Sequence, residues 1–254
     1  MVASPAGEKI AVNDLNTNRI LVIDLYGRLL WTAGEQVRLD QPNALCFESE
    51  TRLLFAPAER MYIMAITEEN PQQVDTVKDL SSVLSGWRGV DQIVARAQPS
   101  GYLLLNSSAG EVAVFDSEWE FKEILIKHGS GKGRLLAPSS LTPTLSGKLV
   151  VADRKNFPVQ FFAGDGKFLV YGAWNQPPEE RGWEAAAVAV DTRGFVWVAD
   201  ETNGQYRLFD QAGTLVSTVP FLNPAVSPVA MLGTIDNRMA VLEKTGSLLF
   251  YTLL

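Results

Sequence analysis

The apolar positions of this chain fall in short runs bounded by Gly, Asp, Asn and Pro, and the runs recur in the same order along its length. Each unit reads as an apolar strand, a turn, a second apolar strand closing on Ala-Asp or a variant, then Asn or Gly, then a third strand. The clearest copies are Gly147-Lys148-Leu149-Val150-Val151-Ala152-Asp153 and Gly194-Phe195-Val196-Trp197-Val198-Ala199-Asp200. Weaker copies close at Asn13-Asp14, Ala56-Pro57, Asn106-Ser107 and Leu242-Glu243. The closing positions 14, 57, 107, 153, 200 and 243 lie 43 to 50 residues apart. A period of that size signals a solenoid, a propeller or an array.

Four strands are expected per unit. The first often follows a proline: Pro42–Phe47, Pro138–Thr142, Ala185–Val190 and Pro228–Leu232. The second is the Ala-Asp strand. Its unbroken apolar character, without polar alternation, predicts cover on both faces. The third spans Asn18–Asp24, Val112–Asp116, Val159–Phe162 and Gln205–Asp210, and the fourth follows a glycine turn at Gly27–Trp31, Gly166–Tyr171 and Gly213–Val219. Asp165-Gly166 and Ala212-Gly213 suit hairpins that need positive φ, as do Gly147 and Gly194 between the first two strands. Pro71 to Trp87 stands apart. Val74, Val77, Leu80, Val83 and Leu84 are loosely at helical spacing there, and an inserted loop or short helix is expected.

The repeat resembles that of the NHL family. Pro138…Gly147-Lys148-Leu149-Val150-Val151-Ala152-Asp153…Asn156…Val159-Gln160-Phe161-Phe162…Asp165-Gly166 carries the likeness, as does Ala185…Asp200…Asn203…Tyr206-Arg207-Leu208-Phe209-Asp210…Gly213. The Gly129-Ser130-Gly131-Lys132-Gly133 linker is similar to the glycine-rich entry of that repeat. Units two, three and six have drifted, with Pro57 and Ser107 in place of Asp. The resemblance covers residues 1–254 and implies an all-β fold: a single-domain six-bladed β-propeller of four-stranded antiparallel blades. Counting from Glu243 leaves Ser247 to Leu253 as a third strand and nothing for a fourth. Blade six is therefore expected to lack its outer strand, which a longer native chain would supply from upstream of Met1 together with an export signal.

Charge and composition narrow the function. Hydrophobic residues make up 46% and charged ones 20%, so a large core is available to a soluble protein. The net charge of −7 opposes a nucleic-acid footprint, which needs a basic face, and opposes an anionic membrane surface. No apolar run is long enough to span a bilayer. The single cysteine, Cys46, allows no internal disulfide and reads as a small core residue. The single histidine, His128, sits in a linker, which argues against Ser-His-Asp chemistry and multi-histidine zinc sites. Amidating lyases similar to NHL proteins use such a zinc site, and the chain departs from them here. Gly129-x-Gly131-x-Gly133 lacks the Gly-Lys-Ser/Thr ending of a phosphate cradle. Asp14, Asp153 and Asp200 recur at one position, and turn capping explains a carboxylate repeated in separate units better than one ion does.

Two regions remain as candidate sites. The channel mouth would be lined by residues beginning each first strand: Gln41, Asn43, Asp91, Ser139, Glu184 and Ser227. Asn43, Asp91 and Glu184 offer the oxygen donors a hard divalent cation prefers. The second region is aromatic: Trp87-Arg88, and Trp174 and Trp183 flanking a proline-rich loop with Arg181. Exposed aromatics with arginine make binding hot spots, unless they pack beneath their own loops. The reading is a non-catalytic platform for protein or peptide partners, without nucleic acid, membrane insertion or cofactor. The alternative is a lactone or ester hydrolase, or a lyase, with one divalent cation at the channel mouth. A periplasmic or envelope location in a bacterium fits the export expectation better than the cytoplasm.

Overall fold

The computed structural model describes residues 1–174, 182–223 and 227–253, and they form six antiparallel sheets, one per repeat. The first orders β1 (Val2–Ala3), β2 (Lys9–Asp14), β3 (Arg19–Asp24) and β4 (Leu29–Ala33). The second orders β5 (Pro42–Phe47), β6 (Arg52–Pro57), β7 (Tyr62–Thr67) and β8 (Asp75–Asp79). The third contains β9 (Gln92–Arg96), β10 (Gly101–Asn106), β11 (Glu111–Asp116) and β12 (Phe121–His128), with the short β13 (Arg134–Leu135) added in parallel to β12. The fourth orders β14 (Pro138–Pro143), β15 (Leu149–Asp153), β16 (Val159–Phe162) and β17 (Phe168–Tyr171). The fifth orders β18 (Ala185–Val190), β19 (Val196–Asp200), β20 (Gln205–Phe209) and β21 (Leu215–Pro220). The sixth has three strands: β22 (Pro228–Gly233), β23 (Arg238–Glu243) and β24 (Leu248–Thr252).

The chain divides into two compact units, Met1–Ala109 with Ala113–Glu123, and Gly110–Val112 with Ile124–Leu254. In the first, β1, β5 and β9 run side by side, and Trp31, Phe47 and Phe55 fill the space between sheets one and two. In the second, β14, β18 and β22 neighbour one another. Phe161, Trp183 and Phe209 pack between sheets four and five, and Tyr206, Phe221 and Met239 between sheets five and six. The second strands behave as their sequences require. Every residue of β10 and β15 is buried, and apolar side chains on both faces leave no surface for water.

Carboxylates order the turns. Asp24 Oδ1 accepts from the amides of Tyr26 and Arg28, Asp191 Oδ1 from Arg193 and Phe195, and Asp210 Oδ1 from Ala212 and Thr214, all at 2.8–3.0 Å. Each turn carries a glycine three residues after the aspartate, and Gly213 has φ 79°. In the β11–β12 turn Asp116 caps Glu118 and Glu120 likewise, but Trp119 takes the glycine position at φ 61° and stacks its ring on Tyr102, 4.1 Å between centroids. A second set caps the ends of the second strands, as expected for Asp14, Asp153 and Asp200. Asp14 Oδ1 accepts from Asn16 and Thr17, and Asp200 Oδ1 from Asn203. Asp153 also reaches back to the linker ahead of β14, accepting from Leu136 at 2.8 Å and Ala137 at 3.0 Å.

Two expectations change. Residues 71–87 hold no helix. Asp75–Asp79 is a strand paired with β7, with Thr76 and Asp75 opposite Met64 and Ala65. Its Thr and Val residues suit the pleat, and β7 would otherwise present unpaired backbone groups. The closing position of the third repeat is Asn106, one residue before Ser107. Asn106 Oδ1 accepts from the amide of Ala109 as Asp200 does from Asn203.

The caps make two expectations measurable. Asp200 is fully buried and ion-paired to Arg207 at 2.7 Å, with Arg207 nearly buried. Asp200→Ala strands that guanidinium, and urea denaturation should show a loss of about 3–5 kcal/mol. Asp116 is held below the usual carboxylate range by its hydrogen bond from Lys122, with the Glu120 amide adding to the effect. A depressed folded value gives stability that is present near neutral pH and is lost as pH falls through that lowered value. Asp116→Asn should therefore flatten the acid limb of a Tm-against-pH curve.

Candidate functional site

Several of the sequence-derived channel-mouth residues are engaged in hydrogen bonds to one another or to backbone. In the first unit Asn43 Nδ2 donates to Asp91 Oδ1 at 3.0 Å and to the Val90 carbonyl at 3.1 Å. The other Asp91 oxygen accepts from the Ser107 amide at 2.6 Å. Asp91 therefore joins the start of the first strand to the turn after the second. The Gln41 amide donates to Asn18 Oδ1, and its carbonyl accepts from Ala58.

In the second unit Ser139 Oγ donates to the Ala185 carbonyl at 2.6 Å. Glu184 is exposed, and its carboxylate lies 4.0 Å from Arg154, which binds Glu201 more closely at 2.5 Å. Burial opposes ionisation of Glu201, yet hydrogen bonds from Arg154 and Ser227 and the charge of Lys244 hold its carboxyl below the usual range. The structure thus pairs Asn43 with Asp91 in one unit and places Glu184 and Ser227 around the Arg154–Glu201 pair in the other. Among the described residues no three His, Cys, Asp or Glu side chains converge as a metal site would require.

The aromatic candidates separate into exposed and core positions. Trp174 is 47% exposed and Arg88 is exposed. Trp87 and Trp183 are not surface anchors: they are 6% and 5% exposed. Trp87 packs inward because its segment also buries Leu80, Leu84 and Val90. The Trp183 ring stacks on Phe209 and lies under the Arg207 guanidinium, 4.5 Å away, whose Nε is fixed by Asp200. Arg181 lies outside the described residues.

The remaining chemical candidates behave as structural parts. His128 is exposed at the end of β12. The glycine-rich linker is tied down: Gly131 N donates to Asn156 Oδ1 and Gly133 N to Gln160 Oε1, so these amides do not point at an open anion site. Burial pushes the Cys46 thiol up to about 12, which leaves it protonated and unreactive.

An apolar groove that the sequence reading missed lies in the second unit. It has a volume of about 310 Å³ and runs between sheets five and six. Trp197, Tyr206 and Val219 line one side, Met239 and Tyr251 the other, and Leu222 stands at the rim, 77% exposed. The one acid or base in its lining is Arg193, which pairs with the buried Asp191 at 3.4 Å. Burial and a hydrogen bond with Tyr251 raise the Tyr206 phenol, so its hydroxyl stays neutral. The signal for this groove is present in the sequence. Leu248-Leu249-Phe250-Tyr251-Thr252, part of its wall, carries no charge.

Structural comparison fixes the architecture. A streptogramin B lyase matches over 99% of this chain and 82% of its own, with TM-score 0.69 and 12% identity. The β-propeller domain of Cps50 (Swd1) from Myceliophteria thermophila matches over 100% and 95%, with TM-score 0.68 and 13% identity. The fold is a six-bladed β-propeller. A catalytically inactive virginiamycin B lyase from Staphylococcus aureus, solved with quinupristin, matches over 99% and 82%, with TM-score 0.67 and 14% identity. At these identities the likeness concerns the fold alone. No protein-family model matches the chain, and no curated protein matches its sequence. The NHL resemblance therefore rests on the repeat motif itself.

The burial pattern has an optical consequence. Of the described tryptophans, Trp174 alone is strongly exposed. Trp174→Phe should remove most of the iodide-quenchable fluorescence, whereas Trp183→Phe should leave the Stern–Volmer slope nearly unchanged.

Proposed function

We propose that this propeller is a non-catalytic platform for a protein or peptide partner, and that its principal contact surface is the groove between blades five and six. The observation that carries this reading is the groove itself: an open apolar cleft lined by Trp197, Tyr206 and Tyr251, with Leu222 at its rim. Aromatic rings with polar tips give large contact area at low entropic cost, which suits peptide recognition. The candidate catalytic groups support the same reading, because Asp91, Asn43 and Ser139 are already committed to internal hydrogen bonds. Trp174 and Arg88 are exposed. The net charge of −7 disfavours nucleic acid as the partner.

A displayed library of random peptides tests the reading. Selection on the wild type should enrich apolar peptides, and Val219→Lys, which places a charge in the groove, should weaken their binding at least tenfold. The opposite result would be hydrolysis of a lactone or aryl-ester panel that needs Ca²⁺, Mg²⁺, Mn²⁺ or Zn²⁺ and disappears in Asp91→Ala or Glu184→Ala. A rise in Tm with one of these ions, lost in Glu184→Ala, would accompany it, since an ion that binds only the native state stabilises it.

A further inference from the structure

Asn203-Gly204 is the only Asn-Gly pair in the sequence. It forms half of the four-residue loop between β19 and β20, whose ends, Asp200 and Gln205, pair directly. Asparagine is among the chemically labile side chains. The backbone nitrogen of the following residue can attack its carboxamide, and a following glycine has no Cβ to block the approach. Asn203 is exposed to water. Among the described residues no backbone acceptor holds the Gly204 amide.

The same asparagine is built into the clamp of blade five. Its Nδ2 donates to Asp200 Oδ2 at 2.8 Å and its backbone amide to Asp200 Oδ1 at 3.0 Å. That Oδ2 also accepts from Arg207 Nε, and the Arg207 guanidinium covers the Trp183 ring. The loop ties two further segments. The Glu184 amide donates to Thr202 Oγ1, and the Phe221 amide to the Gly204 carbonyl, both at 2.9 Å. Blade one shows that this cap does not need an asparagine. Thr17 stands three residues after Asp14, as Asn203 does after Asp200. It donates through its amide and its hydroxyl to the two Asp14 oxygens.

We propose that Asn203 is a site of spontaneous deamidation and that its product releases the clamp of blade five irreversibly. Gly204 N bonds to Asn203 Cγ and gives up its proton. The Cγ–Nδ2 bond breaks, and ammonia leaves with that proton. The resulting succinimide takes up one water, and opening at either carbonyl leaves aspartate or isoaspartate at 203. The tether to Asp200 slows the attack by restraining the carboxamide, and does not block it, because the pair lies in a surface turn. Either product sets an anionic group against Asp200, where Nδ2 now donates at 2.8 Å to a buried carboxylate. Like charges at that range repel. Isoaspartate also lengthens the backbone by one methylene, which the Asp200–Gln205 pairing does not accommodate.

The test incubates the folded chain in mildly alkaline buffer, well below its Tm, and maps its peptides by mass spectrometry over time. Isoaspartate is counted by methyl transfer from S-adenosylmethionine with an isoaspartyl methyltransferase. The peptide carrying residue 203 should convert first among the asparagine peptides, to a mixture of aspartate and isoaspartate. The modified fraction, separated by anion exchange, should melt about 3 °C or more below the fresh protein. Asn203→Asp should reproduce that loss in Tm without incubation. Asn203→Thr, which copies the cap of blade one, should abolish the isoaspartate signal and keep the Tm of the wild type.

An Asn203 that stays intact while other asparagines convert would overturn the site. Conversion at 203 with an unchanged Tm, or an Asn203→Asp variant as stable as the wild type, would overturn the release of the clamp. Peptide mapping of the unmutated chain decides the first point even if a variant fails to fold.

Discussion

Two-sided burial of the second strand in each sheet is the constraint on which this architecture depends. A sheet whose second strand is apolar on both faces cannot fold alone, because one sheet leaves one of those faces in water. β15 and β19 meet the requirement through neighbouring sheets, with Phe161, Trp183 and Phe209 between them. The repeat is therefore obligatory rather than decorative. Each blade is completed by its neighbour, and stability accrues from interfaces as much as from strand pairing.

The polar groups answer a different need. A propeller built from short strands has many connections, and their amides require partners. Aspartates three residues ahead of a glycine bind two amides each, and those closing the second strands bind the next turn. Asp200 joins Asn203, Arg207 and, through Arg207, the ring of Trp183. The same economy engages Asp91 and Asn43. Their donors and acceptors hold a strand to a turn.

Most of the fold was legible in the sequence because its signals are local and repeated. Gly147, Gly166, Gly194 and Gly213 marked turns that do adopt positive φ, and the count from Glu243 left the last blade one strand short, as observed. The Asp75–Asp79 strand was misread because Val74, Val77, Leu80 and Leu84 satisfy helical spacing while the unpaired edge of β7 decides the outcome. The one-residue slip at Asn106 arose from matching Ala-Asp to Asn-Ser, when the capping oxygen belongs to Asn106. Site residues were harder. Burial of Trp87 and Trp183 depends on how linkers fold back, and the groove is defined by residues from Arg193 to Leu253 that no single motif contains.

The tie between Asp153 and the linker before β14 has a practical side. Two backbone amides, Leu136 and Ala137, are clamped by one carboxylate, and the first strand begins directly after them. The clamp isolates the strand from whatever precedes it. Changes of length or composition upstream are absorbed before they reach the blade, so these connections can vary while the strands keep their register. A scaffold with such insulated connections lends itself to loop grafting, in which new recognition sequences are carried on an unchanged frame.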